Sequence, residues 1–274
     1  MSENQLEHIK IEKDTENHFA TISINRPDKL NALHTITLKE IADTLEAMVL
    51  DKSVRCVVLR GTKEFTKKPA FSAGADLSSR GNPVLNPKNL MDQCNAMYFR
   101  QKYYDIIEKF PKPLIAAVDG YALGGGFELL LVCDIVIASK RSIFGFPEIK
   151  RGIAPFNGGT QRLIRNIGKV RAKTMIFFGD HYNAQEMYNW GLISFLVDDE
   201  EFEEFIHQKA SWIGNAATKS LFVIKKAIDY GTQSPLNLGL QFEYLGYAIN
   251  SQSKDVIEGV TAFLQKREPK FTGE

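Results

Sequence analysis

The sequence has few cysteines, no excess of charge of either sign and no apolar run long enough for a membrane helix. Its three cysteines form an odd set without metal-ligand spacing, and Cys56 and Cys133, which lie in apolar runs, are expected to be buried thiols. Lys and Arg number 34 against 33 Asp and Glu, and a net charge of +1 favours neither a nucleic-acid nor a membrane partner. The longest apolar run, around 129–137, falls short of the roughly 20 residues that span a bilayer.

Targeting and metal-binding signals are scarce as well. The N-terminal segment MSENQLEHIKIEKD is polar and acidic, without signal or transit character, and the five histidines are scattered. These features predict a soluble, cytoplasmic protein without a metal site. A chain of 274 residues with 44% apolar residues suits one large domain, or one domain with a small appendage.

Apolar periodicity predicts a mixed α/β chain. A polar turn at 15–17 joins two alternating arms, so residues 8–25 are expected to form a β-hairpin. Strands alternate with helices between 56 and 138, as in parallel βαβ units, and the pattern after Thr160 is mostly helical. The other predicted elements before Thr160 are helices at 35–49, 90–110 and 127–133, and strands at 56–60, 114–118 and 135–138. One further strand is predicted at 192–197.

The most informative stretch, 113–162, holds two glycine-rich turns and two carboxylates, Glu128 and Glu148. Three glycines, 124–126, precede the helix that contains Glu128, and bare N–H groups at a helix start favour developing negative charge. Glu128 lies between Phe127 and Leu129, so partial desolvation should raise its pKa toward neutral pH. This combination is typical of a site for acid/base chemistry.

A second run of small residues occurs at 71–76, FSAGAD, where the backbone can approach a ligand closely. Asp76 is either a helix N-cap or a binding residue, and the sequence leaves both open. The segment 78–89 contains one glycine and two prolines and is predicted to be a flexible loop over the site.

Five segments together resemble one family. INRPDKLNAL, FSAGADL, GYALGGGFELLLVCDI, FGFPEIKRGIAPFNGGTQRL and EGVTAFLQKREPKF are similar, in this order, to segments of the crotonase superfamily of enoyl-CoA hydratases and isomerases. The resemblance implies an α/β fold: a spiral of ββα units followed by a helical trimerisation region. Residues 1–200 are then expected to form the catalytic core. Residues 201–274 are expected to be a helical region that packs on the core and on a neighbouring subunit of a homotrimer or dimer of trimers.

The same resemblance implies the site residues and the reaction. The backbone N–H groups of Ala75 and Gly125 correspond to an oxyanion hole for a thioester carbonyl, and Glu128 and Glu148 to the acid/base pair of a hydratase. An acyl-CoA thioester is the expected substrate, and no cofactor is expected because CoA is part of that substrate. The residues expected to contact the substrate or its CoA are Lys29, Leu30, Ala32, Ala73, Asp76, Leu77, Phe156, Phe263 and Lys266.

Two departures from the family pattern bear on this expectation, one on the reaction and one on CoA binding. Phe156 stands where many hydratases have a glycine behind the reacting water, and Ser78 stands where many relatives have a CoA-contacting lysine. A Δ3,Δ2-enoyl-CoA isomerase, or another acyl-CoA reaction on the same oxyanion hole, is the alternative within enzymes. A non-enzymatic CoA-binding or RNA-binding scaffold is the alternative outside them, and the near-neutral charge disfavours RNA.

Overall fold

The computed structural model describes residues 6–77 and 89–274. The predicted loop at 78–89, with Ser78, lies outside the described residues apart from Asn89. The strands are β1 Ile9–Asp14, β2 Phe19–Ile24, β3 Cys56–Gly61, β4 Ala70–Ser72, β5 Leu114–Val118, β6 Tyr121–Leu123, β7 Ile135–Ser139, β8 Ile143–Gly145, β9 His181–Asn183 and β10 Phe195–Val197. The helices are α1 Thr35–Met48, α2 Leu90–Glu108, α3 Gly125–Leu130, α4 Gly159–Ile167, α5 Lys169–Phe178, α6 Ala184–Asn189, α7 Phe202–Gly214, α8 Thr218–Gly231, α9 Leu236–Asn250 and α10 Lys254–Gln265.

A six-stranded sheet forms the centre of the fold, in the order β1-β2-β3-β5-β7-β10. The β1–β2 hairpin is antiparallel, as predicted, and each later pair in this sheet is parallel. Side chains of β3 alternate between the two faces, because successive residues of a strand point in opposite directions. Val57 and Leu59 belong to the larger apolar core, while Cys56 and Val58 pack in a second cluster that includes Phe202 and other residues of α7. The sheet is therefore buried on both faces.

A second sheet of four short strands, β4-β6-β8-β9, was not predicted. The sequence predicts a loop at 61–70 and a run of small residues from Phe71, and a glycine-rich turn after Val118, whereas the structure has β4 at Ala70–Ser72 and β6 at Tyr121–Leu123. The pairs β4–β6 and β6–β8 are parallel, so the carboxyl ends of these three strands lie along one edge of the sheet. This edge positions the site described below.

The two sheets are linked by a repeating unit of two strands and a helix. In β3-β4-α2, β5-β6-α3 and β7-β8-α4, the first strand lies in the large sheet and the second in the small one. This is the ββα spiral that the resemblance implies, although the sequence shows no repeat. Helix α3 begins at Gly125, two residues before the predicted start, and β10 is three residues shorter than the predicted strand.

The C-terminal helices α8, α9 and α10 follow the core, as the helical pattern predicts. Lys225 on α8 is almost fully buried, and its Nζ donates a 2.7 Å hydrogen bond to Asp134, the residue before β7. Loss of Asp134 would leave the buried ammonium of Lys225 without its counter-charge, so this contact fixes α8 against the start of β7. No helix in the described ranges is long and apolar enough to cross a bilayer.

Candidate active site

The turn between β6 and α3 brings a backbone amide and a carboxylate together. Gly124, the residue before α3, has φ of 50°, a left-handed conformation that favours glycine. A Cβ atom at this position would lie 2.7 Å from Oε1 of Glu148, so a larger residue would displace that carboxylate. Glu148 belongs to the 3-10 turn Pro147–Arg151, which directly follows β8. Two neighbouring strands of the small sheet therefore end at the same point.

Ala75, after β4, supplies a second amide at this edge. Leu33 N donates to Gly74 O and Asp76 N donates to Leu33 O, at 2.7 and 3.0 Å, which pairs the chain on either side of Ala75 and turns its own N–H away from Leu33. A Cβ atom on Gly125 would lie 3.4 Å from Ala75 N, so the two turns are in contact. Within the described ranges, neither amide donates to a protein acceptor. The predicted oxyanion-hole amides are thus adjacent and not capped by the protein.

Three N–H donors hold the Glu128 carboxylate, which is 1% exposed. Its Oε1 accepts from Asn157 N and Gly159 N at 2.8 and 3.0 Å, and its Oε2 accepts from Asn157 Nδ2 at 2.7 Å. A Cβ atom at Gly159 would lie 2.9 Å from Oε1, so only glycine lets the chain approach this closely. Burial raises the pKa of Glu128 above its ordinary value, although these donors and the charge of Arg100 act to lower it.

Glu148 is much less well supplied with partners. Burial raises the pKa of Glu148 to about 7, and the nearby charge of Glu128 adds to the rise. Its Oε2 is buried and makes no hydrogen bond within the described part of the chain. Two acidic groups that repel each other at close range do not both ionise readily near neutral pH. The donors around Glu128 favour its ionised form, whereas Oε2 of Glu148 has no such donor among the described residues.

Three residues of this region were not singled out by sequence reasoning as site residues. Asn157 bridges to Glu128, and its Oδ1 is buried without a partner among the described residues. Tyr104, expected to be a core or interface residue, is buried and donates a 3.0 Å hydrogen bond to Gly125 O. Arg100 lies four residues before Tyr104 on α2, and its Nε is likewise buried and unpaired. Of these three residues, only Asn157 had a signal in the sequence: its side-chain amide directly precedes the glycine pair 158–159.

The segment expected to contact CoA packs beside the Ala75 turn. Ala73 N donates to Leu30 O at 2.9 Å, and Leu30 has a left-handed φ of 50° that ends the 3-10 turn Pro27–Lys29. Ala32 O accepts from Arg26, whose guanidinium also forms a 2.7 Å ion pair with Asp76. Asp76 therefore tethers 26–32 to the Ala75 turn, and its expected contact with the substrate or its CoA stays a prediction. Lys29 and Leu77 are exposed beside these residues.

The remaining predicted substrate contacts lie on the surface of the chain. Phe156 is 64% exposed, and the backbone N–H of the next residue donates to Glu128, so Phe156 stands at the edge of the acidic pair. Phe263 is 82% exposed on α10, and Lys266 ends that helix. Their expected contact with the CoA of a neighbouring subunit stays a prediction.

Comparisons with known proteins agree with this fold. Residues 14–274 match the Enoyl-CoA hydratase/isomerase family. The chain is 38% identical to the 2,3-dehydroadipyl-CoA hydratase of Escherichia coli strain K12, over 92% of this chain and 94% of that protein. It is 36% identical to the crotonyl-CoA hydratase of Syntrophomonas wolfei, over 97% of this chain and 98% of that protein. The crystal structure of an enoyl-CoA hydratase from Bacillus anthracis superposes on this chain with a TM-score of 0.89 at 36% identity. The match covers 98% of this chain and 100% of that one. The chain therefore belongs to the enoyl-CoA hydratase/isomerase family and has the crotonase fold.

Proposed function

We propose that the protein adds water across the double bond of a 2-enoyl-CoA thioester to give a 3-hydroxyacyl-CoA. The observation that carries this proposal is the pair of glutamates, Glu128 buried and Glu148 half-buried, beside two amides that donate to no acceptor within the described ranges. Hydration needs one group that takes a proton from water and another that gives a proton to the α-carbon. Glu128, on α3, and Glu148, in the 3-10 turn after β8, meet this requirement from two different elements.

In the proposed mechanism, the amides of Ala75 and Gly125 bind the thioester oxygen. Attack on the β-carbon moves charge onto this oxygen and gives an enolate-like state. Two preorganised N–H donors stabilise that charge without reorganisation, and loss of one such donor costs about 100- to 1,000-fold in rate in comparable sites. The bond from Tyr104 to Gly125 O holds one of the two turns in place.

Glu128 is the proposed base for the attacking water. A carboxylate offers about four acceptor positions, and three of them are engaged by Asn157 and Gly159, which leaves one on Oε2. A water bound there can also donate to Oδ1 of Asn157, which has no other partner within the described ranges. Asn157 would therefore orient the water as well as the carboxylate.

Glu148 is the proposed acid. With a pKa of about 7 it carries a proton in an appreciable fraction of molecules at neutral pH, and that proton can pass to the α-carbon. The step balances: the water oxygen bonds to the β-carbon, one water proton goes to Glu128, and the Glu148 proton goes to the α-carbon. Return of the proton from Glu128 to Glu148 restores the site. CoA enters only as part of the substrate, and no further cofactor takes part in these steps.

Crotonyl-CoA is the first substrate to test, because a relative's name specifies the crotonyl chain. We expect loss of absorbance near about 260–280 nm as the conjugated double bond is hydrated, with 3-hydroxybutyryl-CoA identified by mass spectrometry. No loss of absorbance for any 2-enoyl-CoA would overturn the proposal. The relatives' names also include 2,3-dehydroadipyl and short-chain enoyl groups, so a series of chain lengths belongs in the same assay.

An isomerase is the second candidate, and it is favoured by the three hydrogen bonds that already occupy the Glu128 carboxylate. With three donors on Glu128 and none on Oε2 of Glu148, Glu148 alone could move a proton between two carbons. Consumption of a 3-enoyl-CoA without hydration of the 2-enoyl product would identify this reaction.

Replacement of Phe156 by alanine should change kcat/KM for crotonyl-CoA by less than about fivefold. The Phe156 ring is 64% exposed, so the substitution removes little buried apolar surface. The N–H of Asn157 can still donate to Glu128. Steady-state kinetics would be compared with Phe177→Ala, a similarly exposed phenylalanine on α5. A loss of about 100-fold would instead show that the ring shapes the site when substrate is bound.

We also propose that the C-terminal helices join subunits in a homotrimer or dimer of trimers. Large apolar side chains are exposed along these helices, among them Leu236, Tyr244, Leu245, Phe263 and Leu264. The division into a core at 1–200 and a helical region at 201–274 and the cytoplasmic location remain predictions.

A further inference from the structure

Arg100 differs from the other arginines that the structure describes. Arg60 forms two hydrogen bonds to Glu203, and Arg162 forms two to Glu108. The other described arginines also have a carboxylate, carbonyl or aromatic partner: Arg26, Arg55, Arg141, Arg151, Arg165, Arg171 and Arg267. Arg100 has no hydrogen bond, ion pair or ring contact to any residue that the structure describes, and its Nε is buried.

Arg100 lies close to the groups of the candidate active site. Residues four apart on a helix share a face, so Arg100 lies one turn from Tyr104, whose hydroxyl binds Gly125. Burial raises the pKa of Glu128 and of Tyr104, and the Arg100 charge acts against both rises, which is consistent with a guanidinium near both groups. Its effect is not among those that shift Glu148. Arg100 is therefore near the Glu128 side of the acidic pair.

The carboxylates nearest in sequence do not compensate this charge. Asp105 and Glu108, on the same helix, lie against Arg162. Glu128 has its own three donors and forms no ion pair with Arg100. A partly buried guanidinium without a counter-charge is costly to keep, because its desolvation is not offset within the protein. A ligand group of opposite charge would offset it.

We propose that Arg100 binds a carboxylate at the far end of the acyl chain, so that the preferred substrate is a dicarboxylic 2-enoyl-CoA. This inference rests on the proposed hydration and specifies its substrate class. The planar guanidinium offers paired N–H donors that match the two oxygens of a carboxylate. A neutral alkyl chain in the same place would leave the guanidinium unpaired and would bind less tightly.

The test compares two six-carbon substrates that differ at C6: 2-hexenoyl-CoA, and the 2-enedioyl-CoA with a carboxylate at that carbon. We expect kcat/KM of the wild-type protein to favour the dicarboxylic substrate by at least about tenfold, as charge-assisted hydrogen bonds do. Arg100→Leu should remove this preference by raising KM for the dicarboxylic substrate at least about tenfold more than KM for 2-hexenoyl-CoA. Arg100→Lys should keep part of it, because the charge remains and the paired donors do not. Arg165→Leu, an exposed arginine on α4, is the matched control.

Two kinetic outcomes would overturn the inference: equal kcat/KM of the wild type for both substrates, or an equal fall in kcat for both in Arg100→Leu. The second result would mean that Arg100 acts on Glu128 rather than on the substrate. Binding of the saturated adipoyl- and hexanoyl-CoA, measured by calorimetry, separates this inference from the proposed reaction. Tighter binding of adipoyl-CoA that is lost in Arg100→Leu supports the role of Arg100 even if no enoyl-CoA is hydrated. Equal binding of both thioesters by a protein that does hydrate enoyl-CoA leaves the reaction standing and refutes the role of Arg100.

Discussion

Replacement of Glu148 by glutamine should lower kcat/KM for hydration of crotonyl-CoA by at least about 100-fold. Glutamine keeps the size of the side chain but has no acidic proton for the α-carbon. The loss should also extend to any isomerisation of a 3-enoyl-CoA, since both reactions then lack their proton donor. Initial rates would be measured for both substrates, with exposed Glu46→Gln on α1 as control. Retention of more than a tenth of the wild-type rate would contradict the assignment of Glu148 as acid.

The pH dependence of the wild type should agree with this assignment. If Glu148 is the acid, kcat/KM falls as the pH rises through its pKa of about 7, because the free enzyme loses the proton it must donate. The fall should be absent from the residual activity of Glu148→Gln. A rate that rises through neutral pH would indicate that Glu148 must instead be ionised.

Glu148→Gln should also stabilise the protein at alkaline pH. The pKa of Glu148 is about 7 in the folded protein, against an ordinary value of 4.5 in the unfolded chain. Below the unfolded value both states are protonated and the group contributes nothing. As the pH rises from there to the folded value, the unfolded chain loses its proton first, so the folded state becomes less stable. Glutamine does not ionise, and thermal unfolding should therefore show a higher Tm for Glu148→Gln at pH 8 and no difference near pH 4.

Long elements could be predicted from the sequence because their patterns extend over many residues. The β1–β2 hairpin alternates over both arms, and α1 repeats apolar residues at helical spacing, so both were predicted nearly to their ends. The small sheet could not be predicted in this way. Its strands β4, β6, β8 and β9 have three residues each, too few to show a period of two, and their pairing joins residues far apart in the chain.

The residues of the candidate site also differ in how well the sequence predicted them. Ala75, Gly125, Glu128 and Glu148 were identified from glycine-rich turns and a family resemblance, and the structure brings these turns together at the ends of β4, β6 and β8. Asn157, Tyr104 and Arg100 were not identified as site residues, because their importance lies in contacts between distant segments. The bond from Tyr104 to Gly125 spans 21 residues of chain, and that from Asn157 to Glu128 spans 29. Residue type and spacing indicated the turns, whereas only tertiary packing shows what surrounds them.

Glu128→Gln should separate hydration from isomerisation, which Glu148→Gln cannot do. The glutamine oxygen can still accept from Asn157 N and Gly159 N, and a rotated Asn157 amide can accept from the new NH₂ group through Oδ1, so we expect the fold to persist. The amide cannot take a proton from water, and hydration of crotonyl-CoA should fall by at least about 100-fold. Transfer of a proton between two carbons by Glu148 needs no such base. Conversion of a 3-enoyl-CoA to its 2-enoyl isomer should therefore survive in this variant if the wild type catalyses it.

The control for this comparison is Glu186→Asp, a conservative change in the N-terminal capping box of α6, far in sequence from the acidic pair. A hydration rate in Glu128→Gln close to that of the wild type would exclude Glu128 as the base and leave Glu148 as the one proton carrier. The three donors on Glu128 would then serve to fix the turn at 157–159 against α3. Loss of both reactions together, with unchanged thermal unfolding, would instead mean that the charge of Glu128 is needed to keep the proton on Glu148, as the repulsion between the two carboxylates implies.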